Sequence, residues 1–146
     1  MDLLSATEKT SFSIALGDLF DTFCKDIYVY KTPQKVVLSQ DANFNFAYSD
    51  AQPSATVDYT PVSGAFKAVV SYIRRDQISE TQTTVGVPID INKDLVRIKT
   101  KMDAVDYLKD AERVDLEGKT YNILSHGSPR FVFEAQFYIF FLQERT

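Results

Sequence analysis

The residue in this chain whose chemistry is most often used in catalysis is its only histidine, His126. A catalytic dyad or a metal site built on His126 would need partners, yet the chain has no second histidine and one cysteine, Cys24. His126 stands in the stretch Ser125-His-Gly-Ser-Pro129, whose glycine and proline are typical of a turn. A solvated histidine in a turn needs no function, so the sequence disfavours catalysis there.

Carboxylates are plentiful, but they form no distinctive pair. Asp18 and Asp21 fall on the polar face of a predicted helix, and a second group crowds a connector between strands. That second group is Asp103, Asp106, Asp110 and Glu112. A solvated charged segment explains it better than a metal site, with a weak cation site as the alternative. The glycines form neither a GxGxxG nor a Walker pattern. We therefore expect no enzymatic activity and no catalytic, cofactor-binding or metal-binding residues.

Five basic residues accompany two of the predicted strands: Lys67, Arg74, Arg75, Lys99 and Lys101. Charges on solvated strand ends are the simpler interpretation. The alternative is a local basic patch, which would face passing nucleic acid or an acidic neighbouring subunit. A net charge of −4 and a pI near 4.9 argue against sequence-independent binding to nucleic acid, which needs a clustered basic face.

The chain's single cysteine excludes an intrachain disulfide and indicates a reducing compartment. Its aromatic neighbours Phe20 and Phe23 predict a buried thiol. The sequence starts without the pattern of a secretory signal and has no apolar run of membrane-spanning length. We expect a soluble protein that is made in the cytoplasm and has no contact with a membrane.

One helix is predicted over about residues 5–24. Ser5 and Glu8 have capping-box spacing. Apolar residues then recur at helical intervals, at Phe12, Leu16, Leu19, Phe20 and Phe23. Gly17 and several Ser and Thr residues lower the intrinsic helix propensity, so this helix should depend on docking against the sheet.

The remaining elements are predicted to be strands. Alternation with β-branched and aromatic residues marks 27–31, which Pro33 should end, then 36–38, 62–73 and 95–99. Gly64 indicates a bulge or bend. Residues 114–123 form a hairpin around Glu117-Gly118. Polar stretches at about 39–60 and 74–86 are loops, with one weak strand at 44–48. The sequence predicts a mainly β fold, a small antiparallel β-barrel or sandwich over about 27–142 with one N-terminal α-helix, in a single domain of residues 1–146.

The last strand, 131–142, is apolar on both faces in its second half. Such a strand must be covered on both sides, by its own domain or by a partner chain. A neighbouring subunit is the preferred explanation, which makes Tyr138, Phe140 and Leu142 the candidate subunit interface. Phe140→Asp should then block assembly and leave the monomer folded.

The order of these parts resembles the head-tail connector proteins of tailed bacteriophages, most closely the head-completion or stopper proteins of the lambda head-tail joining type. The residues that carry the resemblance are, in order, Leu19-Phe-Asp-Thr-Phe23, Ile27-Tyr-Val-Tyr30, Val62-Ser-Gly-Ala-Phe66, Leu95-Val-Arg-Ile-Lys99, Arg113-Val-Asp-Leu-Glu-Gly-Lys-Thr-Tyr-Asn-Ile123 and the closing aromatic strand. The likeness is most specific in the last third of the chain. The long polar stretches depart from smaller members of the family.

The resemblance implies a virion structural protein of the neck. Such a protein forms a homo-oligomeric ring, six- or twelve-fold, with a portal or adaptor protein above and tail proteins below. Double-stranded DNA passes through the lumen without sequence-specific binding, and an acidic surface suits that passage. In related stoppers a loop closes the channel and retains the genome. The candidate channel loop here is polar, small and not committed to a core: Gln77, Ile78, Ser79, Glu80, Thr81, Gln82, Thr83 and Thr84.

Two alternatives remain open. One is a tail-completion or tail-terminator ring protein, which lies at the upper end of the tail. The other, of a different class, is a small β-barrel module that binds nucleic acid by stacking bases on exposed aromatic residues. The second alternative predicts a basic groove lined by Tyr and Phe, and the acidic composition speaks against it.

Overall fold

The computed structural model describes residues 3–39, 56–78, 86–125, 127–132 and 135–145. Helix α1 spans Ala6–Phe23 and leads directly into strand β1, Cys24–Ser39. The other strands are β2 Thr56–Ile73, β3 Leu95–Thr100, β4 Ala111–Leu116, β5 Lys119–Ile123, β6 Ser128–Val132 and β7 Ala135–Glu144. A single 3-10 turn at Arg75–Gln77 follows β2, and helix α2, Met102–Lys109, joins β3 to β4. No helix among these residues is long and apolar enough to cross a membrane.

The strands form a closed antiparallel barrel of six, which confirms the predicted fold class. The order around it is β3-β2-β1-β4-β5-β7, and β3 pairs with β7 to complete the circle. Strand β6 pairs with the first half of β7 outside the circle. Closure lets every barrel strand pair on both sides over part of its length, which removes the open edges of a flat sheet.

The interior of the barrel is a single apolar cluster. Its buried members are Ile27, Val29, Ala68, Val96, Ile98, Ala104, Val105, Leu108, Val114, Leu116, Tyr121, Phe140 and Leu142. Three of these belong to α2, which contacts β1, β2, β3 and β7 and so covers one end of the barrel. The sequence predicted a charged connector between strands here. An eight-residue helix forms instead, because its apolar residues at 104, 105 and 108 share one face.

A second, smaller cluster lies on the outer side of β3. Leu95 packs there against Ile78 and Ile89, while the next residue, Val96, points into the barrel. This alternation is that of a strand covered on both faces. The connection between β2 and β3 therefore folds back on the barrel wall, with Ile78 and Ile89 as its two buried anchors.

The hairpin of β4 and β5 agrees with the sequence prediction. Leu116 pairs with Lys119, so the loop is the two residues Glu117 and Gly118, with φ of 50° and 80°. Positive φ at both positions is the signature of a type I′ turn, whose twist matches that of a hairpin. The capping box at Ser5 is also confirmed, since the side chain and backbone of Ser5 exchange hydrogen bonds with Glu8.

Strand β1 corrects the prediction that Pro33 ends the first strand. It continues to Ser39, and β2 begins at Thr56, before the predicted start and before Pro61. The pairing of the two strands shifts register between Lys31 and Gln34. Both prolines lie at this irregularity, where a missing N–H costs no regular ladder bond. Gly64, the predicted bulge, pairs regularly with Val29. Its role is close packing, because a Cβ there would lie 2.6 Å from the Phe66 ring.

Candidate assembly surfaces

The predicted subunit interface on β7 is wrong. Phe140 and Leu142 are both 0% exposed and belong to the barrel interior, and Tyr138 is half-buried against the same cluster. The sequence could not show that β3 pairs with β7 and closes the barrel over these side chains. The closed barrel buries Phe140 and Leu142 within one chain, so no neighbouring subunit is needed to cover them.

Helix α1 is held on the outside of the barrel by few contacts. Phe20 is its only buried residue, and its ring stacks on that of Phe137 in β7 with 5.4 Å between centroids. Two lysines of the β3 region complete the attachment. Lys101 donates to Asp21 at 2.8 Å and lies over the Phe20 ring, and Lys99 lies over the Phe137 ring. The second half of the helix is therefore docked by the Phe20 ring and by Lys101, with Lys99 packed beside them on Phe137.

The predicted apolar stripe of α1 is mostly exposed. Leu19 is 56% exposed and Phe23 is 62% exposed. Ile14, which is not part of the predicted stripe, is 61% exposed. Leu16 is half-buried. A shallow apolar groove of about 160 Å³ runs between the helix and the barrel, lined by Leu16, Leu19, Phe20, Phe23, Val69 and Lys99. A stripe that looked like core in the sequence is thus a surface feature, because only the side of the helix that carries Phe20 meets the sheet.

The five basic residues do not form one patch. Lys101 contacts Asp21 and Phe20 of α1, and Lys99 lies over the Phe137 ring of β7. Lys67 is exposed on β2 near them, while Arg74 follows the end of β2, roughly 20 Å from Lys67 at the rise of a β-strand. Arg74 and Arg75 are exposed. The simpler interpretation, charges at solvated strand ends, therefore suits these two.

The candidate channel loop is only partly within the described residues. Gln77 belongs to the 3-10 turn, and Ile78 is 4% exposed in the cluster with Ile89 and Leu95. Residues 79–84 lie outside the described part of the chain. Ile78 therefore serves as an anchor, and any channel-facing role falls to residues 79–84.

Strands β1 and β2 extend past the barrel as a two-stranded ribbon. Residues 34–39 pair with residues 56–60, and in the described part of the chain neither segment has another partner strand. Residues 32–36 and 58–61 are all exposed, including Tyr59 at 64%. An isolated two-stranded ribbon is marginally stable in water, so one this long is a feature expected to contact something else. The weak strand predicted at 44–48 lies outside the described residues.

The barrel wall formed by β1 and β4 carries an exposed tyrosine, a half-buried tyrosine and an arginine. Ile27 and Val29 point inward, so Tyr28 and Tyr30 point outward, and Tyr28 is 52% exposed. The Arg113 guanidinium lies 4.4 Å from the centroid of the Tyr30 ring. These residues belong to none of the candidate sites predicted from the sequence, although side-chain alternation over 27–30 predicts that both tyrosines lie on the outside.

The end of the barrel away from α2 is covered by a polar network around Glu117. Lys25 and the Tyr72 hydroxyl both donate to its carboxylate. These two hydrogen bonds hold the pKa of Glu117 below its usual range, and the bond to Glu117 raises the pKa of Tyr72. Beside it, Lys119 contacts Asp94 at 2.8 Å and Glu144 at 3.2 Å, which raises the lysine pKa. The charges satisfy one another, as in a structural network.

Other residues singled out for chemistry gain no partners that would suit it. His126 lies outside the described residues. Asp103 accepts from the backbone N–H of Ala104, and Asp110 lies 3.8 Å from Lys31. Among the residues that the structure describes, no three His, Cys, Asp or Glu side chains gather as a metal site would require. Cys24 is half-buried, and its thiol donates to the Asp21 carbonyl.

Comparisons with known proteins add no relative: no family model, no curated protein and no solved structure matches the chain.

Proposed function

We propose that this chain is a virion structural protein of the neck of a tailed bacteriophage. It forms a homo-oligomeric ring below the portal, extends or closes the DNA channel, and presents the surface to which the tail attaches. The observation that carries the proposal is helix α1. The barrel buries a complete interior of its own, yet α1 leaves Ile14, Leu19 and Phe23 more than half exposed on its surface. Apolar side chains grouped on one exposed helix favour a chain that is a subunit of a larger assembly.

The ribbon of β1 and β2 supports the same proposal. It reaches roughly 20 Å past the last residue that pairs with β4, and its described side chains are exposed. A ring subunit of the neck must contact a neighbour on each side and a different protein above and below. A barrel with an attached helix and a projecting ribbon offers separate surfaces for these contacts.

The charge of the chain suits a lumen through which DNA slides. The net charge is −4; among the five basic residues singled out in the sequence, Lys101 pairs with Asp21 of α1 and Lys99 lies over the Phe137 ring. A binding module for single-stranded nucleic acid would need such lysines free beside exposed aromatic rings. The neck protein needs no tight contact with phosphate, because binding would oppose passage of the genome.

The proposal is tested by deleting the coding sequence from the phage genome that carries it and examining the particles by electron microscopy. The expected result is heads separated from normal tails, with cryo-electron microscopy of wild-type particles placing the barrel at the neck. Tails of abnormal length with intact filled heads would indicate the tail terminator instead. Normal particles that lack the chain would contradict both proposals.

A shorter deletion tests the channel segment. Removing residues 79–84 and keeping Ile78 preserves the anchor against Ile89 and Leu95, so the barrel should stay folded. If residues 79–84 close the channel, heads should assemble and then lose their DNA, measured as nuclease-sensitive genome in purified particles. The matched control is Asp76→Ala, which changes an exposed residue of the preceding 3-10 turn without shortening the segment. Heads that retain their DNA after the deletion would remove the assignment.

A further inference from the structure

The connection from β2 to β3 returns to the barrel through a strap, residues 86–94, which lies outside the described helices and strands. Most side chains of the strap are exposed, and Ile89 is its one buried residue. Ile89 packs against Leu95 on the outer side of β3, and Ile78 joins the same cluster from the other end of the connection. Both described ends of the connection are therefore attached at Leu95.

The strap is also attached to the C-terminal end of β7. The side-chain amide of Gln143 donates to the Asp90 carbonyl at 3.0 Å, and the backbone N–H of Glu144 donates to the Asp94 carbonyl at 2.9 Å. Lys119 of β5 lies 2.8 Å from the Asp94 carboxylate and 3.2 Å from that of Glu144. These contacts, the β7 clasp, join both ends of the turn at residues 90–94 to the end of β7.

The strap has hydrogen bonds of its own that do not depend on the barrel. The backbone N–H of Lys93 donates to the Asp90 carbonyl at 3.2 Å, and that of Asn92 donates to the Asp90 carboxylate at 3.0 Å. The barrel in turn needs no strap residue, because neither the β3–β7 pairing nor the interior cluster includes one. Segments with few buried apolar contacts open locally, at a lower free energy than the whole fold.

We propose that residues 86–94 leave the barrel wall as a unit and that the β7 clasp controls their release. Release takes Ile89 away from Leu95 and so frees the C-terminal attachment of residues 79–84. Coupling between two sites is reciprocal, so a contact that displaces Gln143 or Glu144 also favours release of the strap. This inference deepens the proposed function and rests on it for the channel role of residues 79–84.

Two neighbouring backbone N–H groups distinguish release of the strap from fraying of the chain end. The N–H of Glu144 donates to Asp94 in the strap, whereas the N–H of Arg145 donates to the carbonyl of Thr120 in β5 at 2.8 Å. Release of the strap exposes the first group and leaves the second bonded. Fraying of β7 or unfolding of the barrel exposes both. Hydrogen exchange of the purified chain, resolved for single residues by NMR, measures the two rates separately.

Two variants loosen the strap at its two attachments. Ile89→Ala removes the buried anchor and should accelerate exchange of the Glu144 N–H about tenfold or more, because a large buried side chain is lost. Gln143→Ala removes one bond of the β7 clasp and should accelerate it about threefold or more. In both variants the exchange of the Arg145 N–H should change less than about twofold. The matched control is Ile91→Ala, at a strap residue that is 60% exposed, which should exchange like the wild type.

Three results would overturn the inference. In the first, Ile89→Ala accelerates exchange equally at Glu144, at Arg145 and throughout β3, so that the strap and the barrel open together. In the second, the exchange of the Glu144 N–H is unchanged in both variants. In the third, this N–H exchanges in the wild type as fast as in an unfolded chain, so that no latch exists. None of these results decides the proposed function, which depends on where the chain lies in the particle and is measured there.

Discussion

At the scale of single residues, Glu117 occupies a position that favours other amino acids. Its φ of 50° lies in the left-handed region, where type I′ turns usually place Asn, Asp or Gly. Glutamate tolerates this backbone conformation here because its carboxylate receives hydrogen bonds from Lys25 and from the Tyr72 hydroxyl. These bonds tie the β4–β5 turn to β1 and β2, and so hold together the polar end of the barrel.

This arrangement predicts a pH dependence of stability. The hydrogen bonds lower the pKa of folded Glu117, so its stabilising effect is present above the unfolded pKa of about 4.3 and is lost as pH falls through the lower folded value. Glu117→Gln should therefore melt below the wild type at pH 7, and the two melting temperatures should converge as the pH falls through the lowered pKa of folded Glu117. Glu112→Gln, on an exposed β4 residue, is the control. A difference that stays constant with pH would contradict the proposed role of the charge.

Phe140 gives the clearest residue-scale correction and a test of it. Because Phe140 is 0% exposed, Phe140→Ala should lower the free energy of unfolding by about 3–5 kcal/mol, and Phe140→Asp should prevent folding. Phe23→Ala, at a side chain that is 62% exposed, should change it by less than about 0.5 kcal/mol. Chemical denaturation measures both. A folded Phe140→Asp chain that fails only to assemble would restore the earlier interface prediction.

At the scale of elements, the attachment of α1 depends on one ring. The helix has weak intrinsic propensity, and the Asp21–Lys101 ion pair is exposed, so neither holds it in place alone. Phe20→Ala should release α1 and leave the barrel folded. Hydrogen exchange should show at least about tenfold faster exchange in residues 6–23, with protection kept in β1 to β5. Phe23→Ala is the control, and unchanged protection of α1 in Phe20→Ala would show that other contacts hold the helix.

The elements also show what the sequence could and could not predict. Local chemistry is sufficient for the capping box at Ser5 and for the Glu117-Gly118 hairpin, because both depend on neighbours within a few residues. The pairing of β3 with β7 joins residues 38 to 48 positions apart and has no local signal. Without this pairing, the sequence placed the apolar end of β7 at a subunit interface and the apolar stripe of α1 against the sheet. In the structure the end of β7 is buried and most of the α1 stripe is exposed. The prediction that Pro33 ends the first strand was wrong for a similar reason, because the register shift that accommodates Pro33 depends on the pairing with β2.

At the scale of the whole molecule, the barrel and its projections have separable roles. The ribbon is the part of β1 after Lys31 and the part of β2 before Val62. None of its described residues belongs to the barrel interior. The function proposed for the chain therefore depends on surfaces that could be changed without loss of fold. The exposed side of α1 and the ribbon are two such surfaces.

Shortening the ribbon tests this separation. Lys31 and Val62 are paired across β1 and β2, so an Asn-Gly turn can join them in place of residues 32–61. The shortened chain should melt within a few degrees of the wild type, because the barrel interior and the docking of α1 use no ribbon residue. In the phage it should fail to join heads to tails, since the neck would lack the exposed side chains of the ribbon. Unfolding of the shortened chain would show that the ribbon supports the barrel. Wild-type titres would show that the neck does not use it.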